Sequence, residues 1–158
     1  MSVEKVKAYF ARFGIEDRVR EFEVSTATVE LAAQAAGVEP ARIAKSLSFK
    51  LDERTILVVA AGDVKVDNSK YKATFGSKAK MLTADEVVQR TGHAVGGVCP
   101  FALPEEVAVY LDESLRRFET VYPAAGSSNS AIEMSCEELE RYSGSRGWVD
   151  VCKGWQEE

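Results

Sequence analysis

The chain has 158 residues, 46% hydrophobic and 28% charged, the balance of an ordinary globular protein with enough length for one domain and its own core. No stretch of 18 apolar residues occurs, and the opening MSVEKVKAYFARFG lacks the apolar run of a secretion signal. With no such span or signal, the expectation is a cytoplasmic protein with no membrane partner.

In chain order, the spacing of Val3, Val6, Phe10 and Phe13 predicts a first helix from Ser2 to Phe13, stopped by Gly14. RVREFEV (18–24) alternates like a strand, and TVELAAQAAG (28–37) reads as an alanine-rich helix closed by glycine. EPARIAKS gives a short helical turn ending at Lys45, with Pro40 suited to a first helical position. LSFKLDERTILVVAAG (47–62) reads as a hairpin around Asp52, Glu53 and Arg54, after which Gly62-Asp63 ends the strand and Asp67 is placed to cap the next helix. TADEVVQRTG (83–92) opens on a Thr83/Glu86 capping box and closes at Gly92; SCEELERYSG (135–144) repeats the device with Ser135 and Glu138. EVAVYLDESL, FETVYPAAG, SAIEMS and a last GWVDVC supply further strands. Helices and strands mix without strict βαβ alternation. The expected fold is α+β: a single domain with a mixed, mostly antiparallel sheet curled into a partial barrel and surrounded by helices.

The charges are unevenly spread. Residues 41–80 hold nine Lys/Arg against four Asp/Glu, whereas both flanking segments are acidic. A basic middle third is either a set of solvated lysines or a footprint for a polyanion. The three cysteines, Cys99, Cys136 and Cys152, lack CxxC spacing and read as free thiols; with one histidine, no metal site or other cofactor is expected.

Chemistry has few obvious carriers. GHAVGGVCPFALP (92–104) holds the only histidine, His93, and a thiol, Cys99, but no triad or nucleophile elbow surrounds them and no Walker or GxGxxG pattern is present. Lys45 stands among Ile43, Ala44 and Leu47, where its ammonium either complements a helix end or meets a phosphate or developing oxyanion near buried surface. AAGSSNSAIEMS (124–135) offers small polar residues of the kind that also make plain turns.

Taken together, TVELAAQAAGVEPARIAKSLSF, LVVAAGDVKVD, TGHAVGGVCPFALP, VYLDESL, AAGSSNSAIEMS and ELERYSG resemble the YbaK/prolyl-tRNA-synthetase-associated domain family over roughly residues 22–152. The pairing of Lys45 with Gly96-x-x-x-Pro100 is the specific part. The resemblance implies hydrolytic editing of mischarged tRNA by a free-standing deacylase acting on alanine, cysteine or a similar small amino acid carried by proline tRNA or a related one. It implies that Lys45 contacts the terminal nucleotide and the reacting region, and that the Gly96–Pro100 loop, with Gly97 and Val98, presents backbone groups to the aminoacyl moiety. Gly126 and Ser127 would close the other side of the pocket, and Thr28, Val29, Ser46 and Phe101 would line or border it. Asp63 and Asp112 match family positions and are expected to be structural more than catalytic, while His93 and Cys99 are demoted. Phe101-Ala102 departs from the Phe-Gly often found after the proline. tRNA is the implied partner, with Lys65, Lys70, Lys72, Lys78 and Lys80 offered to its acceptor end, and an aminoacyl-tRNA synthetase is a second candidate. The competing reading is a non-catalytic protein of the same fold that binds aminoacyl-tRNA or a synthetase; hydrolysis of another small ester or thioester also stays open.

Overall fold

The computed structural model describes residues 2–155. Helix α1 (Ser2–Ala11) leads through a 3-10 turn to strand β1 (Val19–Glu21), and α2 (Val29–Ala36) is followed by a 3-10 turn at Pro40–Arg42. The long hairpin is β2 (Ile43–Leu51) and β3 (Arg54–Ala61), then come β4 (Lys65–Val66), α3 (Asn68–Phe75) and α4 (Ala84–Thr91). The C-terminal half holds β5 (Ala108–Asp112), a 3-10 turn at Glu113–Arg117, β6 (Thr120–Pro123), β7 (Ser130–Ile132), β8 (Met134–Ser135), α5 (Cys136–Ser143), β9 (Trp148–Val149) and β10 (Cys152–Lys153).

Six strands form one curled mixed sheet in the order β8-β6-β2-β3-β5-β9, as the α+β expectation requires. Its longest pairing, β2 with β3, is antiparallel, as is β6 with β8, but β6 joins β2, β5 joins β3 and β9 joins β5 in parallel. Two antiparallel ribbons, β1-β7 and β4-β10, complete the strands. From Thr55 to Ala61, β3 is buried at every position, the signature of a strand covered on both faces. Val6 and Phe10 of α1 are fully buried in the same core; Phe10 meets the Phe101 ring edge-on at 4.7 Å and Tyr142 at 6.3 Å.

The capped helices form where local chemistry dictates. Thr28, Asp67, Thr83 and Ser135 each accept the backbone N–H three residues on, and both capping boxes are complete. Three readings shift. The turn at EPARIAKS is a single 3-10 turn, and Lys45 is the third residue of β2, because Ile43 already pairs with Tyr122 and Ala44 with both Ala61 and Pro123. Only Val19–Glu21 of the 18–24 segment becomes strand, since its partner β7 is three residues long. GWVDVC is two strands in different sheets, broken where Asp112 Oδ1 accepts the Val151 N–H at 2.9 Å.

Ala102 has φ +57°, the left-handed region that suits glycine. The alanine that departs from the family's usual Phe-Gly thus sits at a position whose backbone favours the glycine. Ala102→Gly is expected to raise stability by about 0.5–1 kcal/mol, read as a higher urea midpoint at unchanged m-value.

Candidate functional site

The site begins where two parallel strands part. Ile43 and Ala44 pair with Tyr122 and Pro123, and there the β2–β6 ladder ends. The next bond on that edge of β2 is Leu82 N–H to Ser48 O at 3.2 Å. Because strand residues alternate their hydrogen-bonding direction, Ser46 directs its N–H and C=O into the fork. A cavity of about 190 Å³ fills this fork. Its floor is Ala44, Lys45 and Ser46; Thr28, Val29 and Ala32 of the α2 segment make one wall, Tyr122 and Ala124 another, and Val95, Gly96 and Val98 the third.

Lys45 is the charged side chain in this lining, and it is half-buried. Its ammonium donates to the Val64 carbonyl and, at 3.5 Å, to the Gly62 carbonyl. Burial pushes its pKa down; Cys152, Asp63 and Glu30 work the other way, and Lys65 adds to the lowering. The turn that supplies these carbonyls is suspended at both ends from one buried carboxylate. Asp112 Oδ2 accepts the Ser114 N–H at 3.0 Å, and Ser114 Oγ accepts the Ala61 N–H at 3.2 Å. Through Oδ1 Asp112 holds Val151 N–H, whose own carbonyl accepts the Asp67 N–H at 2.8 Å. Asp63, on the turn itself, is gripped by both Arg117 nitrogens at 2.6 and 3.1 Å, and this pairing holds its pKa below the usual carboxylate range. Gly62 is needed for clearance: a Cβ there would lie 2.1 Å from the Pro40 carbonyl and 2.7 Å from Val29 Cγ1. Asp63 and Asp112 therefore position the turn and lie outside the cavity lining.

The loop after α4 is held from within. His93 is fully buried, its Nε2 lies 2.9 Å from the Phe101 carbonyl and its N–H donates to Thr91 Oγ1 at 3.1 Å. The carbonyl contact makes Nε2 the protonated nitrogen of a neutral ring. Burial lowers the His93 pKa, the Phe101 carbonyl opposes this, and Lys5 adds to the lowering. Cys99 lies fully buried beside the same ring, and burial pushes its thiol up to about 12, a value that leaves no reactive thiolate at neutral pH. Ala94 to Gly97 form a tight turn closed by Gly97 N–H to Ala94 O at 2.9 Å, with Gly96 at φ +96°.

The expected site residues divide. Thr28, Val29, Lys45, Ser46, Gly96 and Val98 come together around the cavity. The Thr28 hydroxyl already accepts the Leu31 N–H as the α2 cap. Gly97, Gly126 and Ser127 stand behind the wall: a Cβ on Gly97 would come within 2.9 Å of the Ser127 backbone, and Ser127 Oγ bonds Ser130 Oγ at 2.8 Å. Phe101 does not border the cavity. Its ring joins the core against Phe10, where an aromatic side chain gains about 1.5–3 kcal/mol from burial. Pro100 is also buried and lies on a separate concavity with Tyr9 and Arg12, on the far side of the loop. Thr26, Tyr122 and Ala124 are lining residues that no sequence pattern singles out. Thr26 reaches the site through a long-range bond, its N–H to Ser128 O at 2.6 Å, for which a local pattern carries no signal. The Thr26 and Ser46 hydroxyl oxygens are buried without a hydrogen-bond partner among the described residues.

The family model for the aminoacyl-tRNA editing domain matches residues 23–142, a span that contains every element around the cavity. The chain belongs to the aminoacyl-tRNA editing domain family. Among related proteins, this editing domain is 54% identical over 157 residues to the Bacillus subtilis (strain 168) protein named "Uncharacterized protein YwhH", covering 99% of this chain and 100% of that one. It is 31% identical over 99 residues to the proline–tRNA ligase of the same organism, covering 62% of this chain but only 16% of the ligase. The crystal structure described as a candidate trans-editing enzyme for prolyl tRNA synthetase superposes with a TM-score of 0.87 at 30% identity, covering 97% of this chain and 98% of that one.

Because the folded His93 pKa lies below its unfolded value, the unfolded chain takes up the proton first. The stability His93 contributes is present above about pH 6.5 and is lost as the pH falls below it. Urea unfolding between pH 7.5 and 5 is expected to show that decline, and His93→Gln to flatten its His-dependent part while lowering stability at neutral pH.

Proposed function

We propose that this editing domain is a trans-acting deacylase that hydrolyses the ester of tRNA mischarged with a small amino acid, alanine, cysteine or one of similar size. The observation that carries the reading is that Lys45, the Gly96 turn and the unpaired backbone edge of Ser46 line one cavity. The cavity, about 190 Å³, has room for a small aminoacyl group.

The chemistry asks little of the protein. A water oxygen attacks the ester carbonyl carbon, the carbonyl oxygen takes negative charge, and the bond to the ribose oxygen breaks as that oxygen takes a proton. Lys45 acts as electrophile, setting its positive charge beside the developing oxyanion in a half-buried site where charge acts strongly. The turn at Gly96 brings main-chain groups close to the aminoacyl moiety, an approach that a side chain there would obstruct. With His93 and Cys99 turned into the protein, the substrate's neighbouring ribose hydroxyl is the group left to orient the water and relay its proton.

Replacing Lys45 by alanine is expected to lower kcat/KM about 10²–10³-fold with the fold intact, the decrease seen when one oxyanion-stabilising group is removed. The assay is release of amino acid from a panel of tRNAs charged with Ala, Cys, Ser and Pro. Wild type inactive on every member, or Lys45→Ala fully active, would sink the hydrolase reading; tight binding of aminoacyl-tRNA without turnover would favour a sequestering protein instead. Gly96→Ala tests the loop. At φ +96°, with the new methyl 3.4 Å from Ala27 Cβ, it is expected to cost activity more than stability.

A further inference from the structure

A second concavity lies farther along the strand that floors the site. Segment 80–82 continues the edge of β2: Lys50 N–H donates to Lys80 O at 2.8 Å, Leu82 N–H donates to Ser48 O, and Phe49 bridges Met81 antiparallel. This register sets Lys80 opposite Lys50 and Lys78 opposite Asp52. Alternation along β2 puts the Lys50 side chain on the face shared with Ser46. Lys50, Asp52, Lys78 and Lys80 line, with Ser77, a concavity of about 420 Å³. Lys50 lies four residues beyond Ser46, roughly 13 Å at about 3.3 Å per strand residue.

The charges in this hollow are unequal. Lys50 is anchored by Glu86 at 2.8 Å, and Glu86 is itself held in the α4 capping box. Lys78 and Lys80 are exposed or nearly so and make no ion pair among the described residues, and Asp52 is the only acid in the lining. Lys80 stands directly opposite Lys50, whose charge Glu86 already meets, so the Lys78 and Lys80 ammoniums are the charges left without an ion-pair partner in the hollow among the described residues. Other lysines of the basic third are placed differently: Lys70 is committed to Asp150 and the Cys152 carbonyl, and Lys65 pairs across the β4-β10 ribbon with Lys153.

We infer that the Lys50–Lys78–Lys80 concavity is a phosphate-binding subsite for the RNA strand that carries the ester, taking phosphates a few nucleotides from the reacting end. The inference rests on the deacylase reading for its substrate but not for its test. It gives the site a second foothold that measures RNA rather than amino acid. A strand anchored there leads along the edge of β2 to the cavity that Ser46 and Lys45 line.

The experiment compares wild type with Lys78→Ala/Lys80→Ala on two substrates, an alanylated acceptor-stem minihelix and 3′-O-alanyl-adenosine, which has the ester but no upstream phosphates. Binding of the uncharged minihelix is measured across a salt series, and thermal unfolding checks the fold. The double variant is expected to raise KM for the minihelix about tenfold and to leave kcat and the adenosine ester unchanged. It should also make the log–log salt slope shallower by about 1.4, near 0.7 for each phosphate no longer neutralised. An unchanged salt slope, or equal impairment on both substrates, overturns the subsite. An unchanged RNA slope with weakened binding of a glutamate-rich peptide assigns the face to a protein and overturns it as well. If wild type hydrolyses neither ester, the deacylase reading fails, and the uncharged minihelix still decides the subsite.

Discussion

A buried carboxylate organises the polar side of this molecule. Asp112 ends β5 and accepts two main-chain N–H groups, one from Ser114 and one from Val151. Each receiver passes the restraint on, Ser114 to the end of β3 and Val151 to the start of α3. The turn between those points has few choices left, and its Gly62 and Val64 carbonyls are where the Lys45 ammonium rests. Without this acceptor each of the two N–H groups would be a buried orphan. The arrangement makes the position of Lys45 a property of the sheet rather than of its own flexible stem.

The second organising feature is the place where β2 leaves β6. A parallel pair only two residues long opens into a fork, and the opening exposes main-chain groups without exposing a long edge. Higher along the same strand, residues 80–82 take up the pairing again. The gap between these two partners is where α2 and the glycine turn can approach. The small residues on α2, Ala32 and Ala33, let that helix sit close to Ile43 and Tyr122.

What could be read in the sequence follows from the range of the forces involved. Thr28 with Gly37, Thr83 with Gly92 and Ser135 with Gly144 set helix ends by interactions within a few residues, and these helices were legible to within a residue. The long hairpin was legible because two apolar runs flank a polar turn. Strands of two or three residues, such as β4, β9 and β10, were not, because their pairing partners define them and propensity does not. At the site, Lys45 and Gly96 stood out by type and by family resemblance. Thr26 and Tyr122 did not, because they depend on pairings with Ser128 and Ile43, each far away along the chain. Phe101 was misplaced for a related reason. In an irregular loop no period tells which residue turns inward, and the decision fell to Phe10 on a helix at the other end of the chain.

The tether on Lys45 bears on how the site would change state. A half-buried ammonium with no partner would have to keep water or shed its proton, and a ligand would then have to strip that water away. Here two carbonyl oxygens already stand in for solvent. On the proposed deacylase reading, an oxyanion formed nearby would draw the ammonium from these neutral acceptors by rotation of a terminal bond, with little rearrangement of its surroundings. The resting hydrogen bonds thus hold the ammonium in one place, so that its stem does not have to be ordered when a ligand arrives.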